Sequence, residues 1–342
     1  MIRKNTSLKS KTKPFLLRPA AKDYLWGGNR LNDEFDKNID MSPLAETWEC
    51  STHPDGLSVV ASGKYKGITL AEVLNNHPEY VGAHPLENSI SGRVELPILI
   101  KFIDANKDLS VQVHPNDEYA YKHENGQRGK TEMWYVLDAK KDSTLVYGLQ
   151  FDMSKEEVTK RIEDGVLESY LQKVPVEKDD VFFIEAGTIH AIGAGILIAE
   201  IQENSNLTYR LYDYNRVDKD GKKRELHIDK GLEVANLNAG VRPRQSMRVL
   251  KYKKGCATEL LGRCKYFEVY RMLLNTERTR EYVRYQADDN SFRVLLCTTG
   301  CGTVMLEDGE AINFFKGDCI FIPADSVDMK LHGKAQLLDI RA

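Results

Sequence analysis

Three side chains of this chain stand where a metal ion could use them. In Val111-Gln112-Val113-His114 the side chains alternate across a strand, so Gln112 and His114 share one face and the valines take the other. Pro115 cannot donate to a sheet ladder and ends the run. Glu132 opens the otherwise apolar stretch Met133-Trp134-Tyr135-Val136. A carboxylate there is costly unless it binds a cation or joins a hydrogen-bond network. His190 follows the short Ala186-Gly187-Thr188-Ile189 segment. Two imidazoles and one carboxylate, if they meet, suit zinc and leave one position for water or substrate. The same set suits non-haem iron(II), so ligand type does not choose the metal. Taken singly, His114 before a proline also reads as an ordinary structural histidine.

Strands must position these groups, and the sequence supplies them. Short runs rich in Val, Ile, Phe and Tyr, bounded by Gly, Asp and Asn, occupy 96–103, 109–114, 133–137, 181–185, 195–202, 208–212, 293–298 and 318–323. Many short strands at such spacing indicate sandwiches or barrels rather than a parallel sheet. Helical patterning is confined to three places. Residues 69–76 have Thr69 as N-cap, Glu72 to complete a capping box and Pro78 as a stop. Residues 153–173 open on a Ser154/Glu157 box and break at Gly165; a third short helix is expected over 229–236.

An internal repeat organises the chain. Residues 180–192 read DVFFIEAGTIHAI and residues 318–330 read DCIFIPADSVDMK, sharing Asp, Phe, Ile and Ala without a gap. Both resemble the second motif of the cupin superfamily, G-D-x-x-x-x-P-x-G-x-x-H, whose fold is a small jelly-roll barrel. The first copy keeps Gly187 and His190 but has Glu185 at the proline place. The second keeps Gly317 and Pro323 but has Asp325 and Asp328 where glycine and histidine would stand. In a cupin the H-x-H pair would fall on Gln112 and His114. The resemblance implies a mainly β chain of two cupin (jelly-roll) barrels with a few short helices, of which the first can hold a metal and the second has lost that ligand. The expected division is a flexible basic arm over 1–14, a zinc-binding domain over 15–240 and a degenerate one over 245–342. The boundary lies in 236–255, a stretch without periodicity.

More closely, the chain resembles the type I mannose-6-phosphate isomerases, also called phosphomannose isomerases. The pieces come in the family's order: Tyr24-Leu25-Trp26-Gly27-Gly28; Ala45-Glu46-Thr47-Trp48 with Ser51-Thr52-His53-Pro54; and residues 96–105 leading into Leu109-Ser110-Val111-Gln112-Val113-His114-Pro115. Gly129-Lys130-Thr131-Glu132-Met133-Trp134-Tyr135, then 186–191, then residues 203–213 (ENSNLTYRLYD) complete the set. The resemblance implies zinc held by His114, Glu132 and His190, with Gln112 a ligand or near-ligand. It places Arg210 on the family's catalytic arginine and Lys130 on a lysine near substrate and phosphate. Longer members carry a histidine where this chain has Gly129, and a larger helical insertion for which only 153–173 could stand in. The short bacterial subgroup fits.

The implied reaction is aldose–ketose isomerisation through an enediolate, one zinc per chain stabilising the charge that grows on two oxygens. Lys130 or Arg210 grips the phosphate, and their roles can be exchanged. Glu46, Glu203 and Asp213 are the carboxylates available as base or to orient the arginine. Trp26 and Trp48 line a sugar site or pack in the core. On the residues alone, Arg210 also reads as a solvent-facing strand residue and Lys130 as a turn lysine. The competing functions are an iron(II) cupin oxygenase, which would usually show the full H-x-H pair, and a non-catalytic sugar-phosphate-binding cupin.

Bulk properties agree. At 342 residues, 42% hydrophobic and 29% charged, the chain is a soluble globular protein long enough for two domains. A net charge of -3 disfavours nucleic acid or an anionic membrane as partner. The six cysteines, at 50, 256, 264, 297, 301 and 319, form no C-x-x-C pair, and no secretory signal precedes them. Reduced thiols in a cytoplasm fit this pattern. Cys297 and Cys301 flank Thr298-Thr299-Gly300, read as a turn; without partner ligands they are no metal pair. His77, His84, His123 and His332 are expected at surfaces or turns, and His53 and His227 in supporting positions. A monomer and a homodimer are both compatible with the sequence.

Overall fold

The computed structural model describes residues 11–87, 94–217, 221–243, 245–278 and 281–342. Its N-terminal half is built on a pair of antiparallel sheets that face each other. The six-stranded sheet runs Val181–Ile184, Glu132–Ala139, Ile196–Glu203, Ile98–Ala105, Glu46–Cys50, Ala20–Lys22. The five-stranded sheet runs Tyr209–Tyr212, Val111–Val113, His190–Ala191, Thr144–Leu149, Leu171–Pro175.

Strand alternation gives the six-stranded sheet two buried faces. One contributes Ile103, Trp134, Val136 and Ile198 to a core shared with Leu145 and Val174 of the facing sheet. The other contributes Ile100, Phe102, Met133, Tyr135 and Ala199 to a core shared with Val269, Val294, Phe321 and Leu338 of the C-terminal half. Burial on both sides explains why ILIKFIDA and ILIAEIQE are nearly continuous apolar runs. It also makes each charge inside them conspicuous.

In the C-terminal sheet, Arg293–Leu306 and Met329–Arg341 pair along most of their length. Each changes its outer partner halfway. Arg293–Leu306 leaves Cys319–Ile322 for Ala311–Phe315, and Met329–Arg341 moves from Val283–Tyr285 to Glu268–Asn275. The sheet thereby wraps a filled core of Met272, Leu295, Val304, Ile320, Leu331 and Leu337. The segment Thr298-Thr299-Gly300 is not a turn: the strand runs through it with an irregularity between Cys297 and Thr299. The mainly β architecture is as expected.

Backbone geometry supports the internal repeat. Gly187 (φ 90°) and Asp325 (φ 52°) occupy matching places in the two copies, as do Asp179 (φ 71°) and Gly317 (φ 97°) just before them. Both places need a left-handed residue, which glycine or aspartate supplies most cheaply. Asp328, at the place of His190, is exposed, whereas His190 is buried.

Sheet pairing does not follow a cut at 240–245. Phe15–Arg18 pairs with Cys319–Ile322, and Val59–Val60 pairs with Phe15–Arg18 in turn. The end of the supposed arm is docked as well. The Thr12 hydroxyl donates to the Ala324 carbonyl at 3.0 Å, and Lys13 pairs with Asp308 and Glu310. Residues 1–10 of that arm lie outside the described residues.

The helices Leu70–Asn76 and Ile228–Val234 lie where expected, and the Thr69 side chain accepts from the Glu72 N–H. The 153–173 stretch is shorter than read. A helix over Lys155–Glu163 opens on a complete Ser154/Glu157 capping box, a 3₁₀ turn spans Leu167–Tyr170, and Leu171 already begins a strand. Among the described residues no helix is long and apolar enough to cross a membrane.

Candidate metal centre and active site

Register places the chemistry. Across the six-stranded sheet, Trp48 faces Lys101, Lys101 faces Glu200, and Glu200 faces Trp134. Residues paired this way share a sheet face. Glu132 lies two residues before Trp134 on that face. Across the five-stranded sheet, Arg210 faces Gln112, Gln112 faces His190, and His190 faces Tyr147. His114 follows Gln112 by two. The two rows meet where the Trp134 ring sits edge-on to the His190 ring, centroids 5.5 Å apart.

There His114, Glu132 and His190 each aim a ligand atom at one point, all three atoms within 4.8 Å of one another. His190 Nε2 is 3.2 Å from Glu132 Oε1, and His114 Nε2 is 3.8 Å from Oε2. His190 Nδ1 lies 2.8 Å from the Thr188 carbonyl; donating to it leaves the Nε2 lone pair facing inward. Both Glu132 oxygens are buried, and among the described residues no backbone N–H or hydroxyl is bonded to either. At zero exposure the close partners of this carboxylate are the Lys130 ammonium and the two imidazoles, and the donor set is one that zinc accepts. Among the described residues no other group of three metal-capable side chains converges, and the six cysteines are free.

Charged neighbours surround the trio. The Lys130 ammonium lies 2.8 Å from Glu132 Oε2 and 3.3 Å from His114 Nε2. Lys101 lies 3.1 Å from Glu200 Oε1 and 3.8 Å from Glu46 Oε2, while the Trp134 and Trp48 indoles donate to Glu200 and Glu46. Three buried carboxylates, Glu46, Glu132 and Glu200, thus face two buried ammonium groups, Lys101 and Lys130. One negative charge is in excess, which favours a bound cation.

Titration follows the same balance. Burial pushes the Glu132 carboxyl up, but Lys130 and the two imidazoles outweigh it and hold it well below the usual carboxylate range. Burial and Lys130 keep His114 neutral to well below its ordinary value, as a metal ligand must be. Burial alone would lower the Lys101 value, but Glu200, Glu46 and Glu132 raise it and keep the ammonium charged.

The remaining sequence candidates separate. Gln112 joins the site, its amide 3.4 Å from His190 Nε2. Glu46 lies on the Lys101 side. Trp26 is buried in the inter-sheet core and stacked on Tyr24, and the fully buried Trp48 ring lies beneath Lys22 and Lys101. Arg210 is two strands from His190, its Nε on the Ser110 hydroxyl and its Nη1 on the Glu225 carbonyl. His227 supports it, accepting from the Arg210 N–H at 3.3 Å. Asp213 forms ion pairs with Arg216 and Arg224, and its charge also acts on Arg210. Glu203 accepts the Thr131 N–H at 2.8 Å, beside the strand carrying Glu132 rather than inside the metal site.

Lys101, Glu200, Arg216 and Arg224 were not among the sequence candidates. For Lys101 and Glu200 the signal was available: a lone charge in an apolar strand, the same pattern that marked Glu132.

Glu203 carries a prediction of its own. Burial pushes its carboxyl up to about 8, helped by the neighbouring Asp117 and opposed by the Thr131 N–H. The folded chain keeps this proton to about pH 8, while the unfolded chain loses it near the ordinary 4.5. Between these values the unfolded state binds fewer protons, so rising pH favours unfolding. The stabilising contribution is complete below pH 4.5 and gone above pH 8. Glu203→Gln, which still accepts the Thr131 N–H, is expected to flatten the fall in Tm between pH 5 and pH 9. An identical slope in both proteins would exclude this assignment.

Comparison with known proteins agrees with this geometry. The model of the phosphomannose isomerase type I catalytic domain matches residues 15–142. The mannose-6-phosphate isomerase ManA of Bacillus subtilis is 39% identical over 96% of this chain and 98% of its own. The crystal structure of the mannose 6-phosphate isomerase from Bacillus subtilis superposes with a TM-score of 0.86, at 34% identity, over 96% of this chain and 99% of that one. A zinc-bound mannose 6-phosphate isomerase, 15% identical, shares the fold with a TM-score of 0.73 over 96% of this chain and 99% of its own. The chain belongs to the type I phosphomannose isomerases.

Proposed function

We propose that this chain is a zinc-dependent aldose–ketose isomerase interconverting D-mannose 6-phosphate and D-fructose 6-phosphate, with one zinc per chain held by His114, Glu132 and His190. The observation that carries the reading is the buried trio itself, two imidazoles from one sheet and a carboxylate from the other, their ligand atoms all within 4.8 Å of one another. Relatives that carry the isomerase name over nearly the whole length supply the substrate. When bound there, zinc supplies Lewis-acid stabilisation of the negative charge that develops on O1 and O2.

The protein's own groups do the rest. Lys130, beside Glu132 and His114, sets its ammonium where that charge grows and is placed to carry a proton. Lys101 and Glu200 hold each other and fix the Trp134 indole, so the wall of the site is pre-organised. Arg210 stands two strand spacings, about 10 Å, from His190 along the row. Arg224 and Arg216 are close enough to act on its charge. This cluster of guanidinium groups is where we place the phosphate, remote from carbons 1 and 2. Binding energy from that end then serves to position the reacting carbons. The exchange of roles between Lys130 and Arg210 is thereby favoured: the lysine works at the reacting end and the arginine grips the phosphate. Six unpaired thiols suit a reducing compartment, and we place the enzyme in the cytoplasm.

The test is a coupled assay for fructose 6-phosphate formed from mannose 6-phosphate. We expect turnover in the range of ordinary enzymes, about 1–10³ s⁻¹. Binding of the sugar phosphate without turnover would contradict the proposal in favour of a non-catalytic cupin. Oxygen uptake by iron-loaded protein without isomerisation would contradict it in favour of an oxygenase.

A further inference from the structure

The backbone on both sides of Lys130 is gripped by carboxyl groups that lie outside the metal site. The Gly129 N–H donates to Asp117 Oδ1 at 3.0 Å, and the Thr131 N–H donates to Glu203 Oε1 at 2.8 Å. The Lys130 N–H donates to the Pro115 carbonyl at 3.0 Å, so three successive amides are tied. Gly129 fits because a Cβ there would lie 2.5 Å from the backbone of Asn116 and Asp117. The two carboxyl groups are neighbours, each acting on the other's charge.

The far end of this clamp belongs to the C-terminal half. Asp117 Oδ2 receives the Tyr266 hydroxyl at 2.7 Å and the Lys265 ammonium at 3.2 Å. Both residues lie in the connection between the strands Cys256–Arg263 and Glu268–Asn275 of the C-terminal sheet. A hydrogen-bonded chain therefore runs from the half without a metal site, through Asp117, to the peptide that carries Lys130.

We propose that Asp117 and Glu203, anchored by Tyr266 and Lys265, are positioning residues for Lys130, so that the degenerate half of the molecule sets the place of a working group in the other half. This rests on the reading in which Lys130 acts at the reacting carbons. Side chains that work at this precision need a supporting shell, because displacement of about 1 Å costs up to about 100-fold in rate. Asp117 leaves the metal ligands untouched, so its loss should appear in kcat and not in metal content.

The experiment is a double-mutant cycle between Asp117→Ala and Lys130→Ala, read as kcat, KM and zinc per chain in the full-length holoenzyme. Asp117→Ala is expected to lower kcat about 10–50-fold, with KM changed less than about threefold and zinc retained. In the Lys130→Ala background the same change should cost less than about twofold, because nothing remains to be positioned. Asp117→Asn, whose amide oxygen still accepts the Gly129 N–H, should recover most of the loss. Tyr266→Phe removes a single hydroxyl and should lower kcat about three- to fivefold. It keeps the test valid if Asp117→Ala folds poorly. Equal losses in both backgrounds, or full kcat in Asp117→Ala and Tyr266→Phe while Lys130→Ala has collapsed, would overturn the clamp and leave the isomerase reading intact. Undiminished turnover in Lys130→Ala would overturn the clamp together with the role given to Lys130.

Discussion

Glu132→Ala is expected to come through purification without zinc and with kcat/KM lowered by at least about 10³-fold. Glu132 is the one member of the trio on the six-stranded sheet, and the two histidines approach from the other. Without it two imidazoles remain beside the Lys130 ammonium, 3.3 Å from His114, in a pocket no longer in excess of negative charge. A dication then loses both a ligand and the net negative charge that attracted it. Breaking a buried ion pair by removing one partner typically costs about 3–5 kcal/mol, so Tm should fall as well. Glu132→Gln separates the two effects, since it keeps the volume and loses the charge. Elemental analysis with steady-state kinetics checks both variants, and a zinc-loaded, active Glu132→Ala protein would contradict the assignment.

Arg210→Ala is expected to retain zinc and to lose about 10²–10³-fold in kcat/KM. Arg210 faces Gln112 in the row that contains His190, but two strands away, so the metal ligands do not depend on it. Its guanidinium is tied to Ser110 and to the Glu225 carbonyl, with Arg216 and Arg224 held nearby by Asp213. Lysine at this position restores charge but not the bidentate fork, so Arg210→Lys should recover only a fraction of the loss. If the phosphate is the target, inorganic phosphate should inhibit the native enzyme more strongly than the variant. Unchanged kinetics with Arg210→Ala would remove this residue from the account.

These two sites differ in how far the residues alone disclosed them. The metal trio was legible because each member breaks a local pattern: Gln112 and His114 alternate with valines, Glu132 heads an apolar strand, and His190 stands in a repeated turn. In the second copy of the repeat Asp328 stands at the place of His190, and the filled core of that half is a physical reason it can be stable without a metal. Lys101 and Glu200 broke the same pattern, but pairing across neighbouring strands decides whether such charges meet, and register is not written in either strand alone. The helix Asp117–His123 was signalled by Asn116 as N-cap and two acids in its first turn. It was too short to stand out from the surrounding strands. Pairing of Phe15–Arg18 with Cys319–Ile322 spans some three hundred residues, and no local pattern records a contact of that separation. The clamp on Lys130 is of the same kind, since Tyr266 reaches Asp117 from a different sheet system.

The most direct measurement is a zinc titration of the metal-free protein, with isomerase turnover followed against zinc per chain. We expect turnover absent at zero zinc, rising in proportion and ending at one equivalent, with Glu132→Ala flat throughout. Full turnover before any zinc is added, in protein shown by elemental analysis to hold no divalent metal, would contradict it.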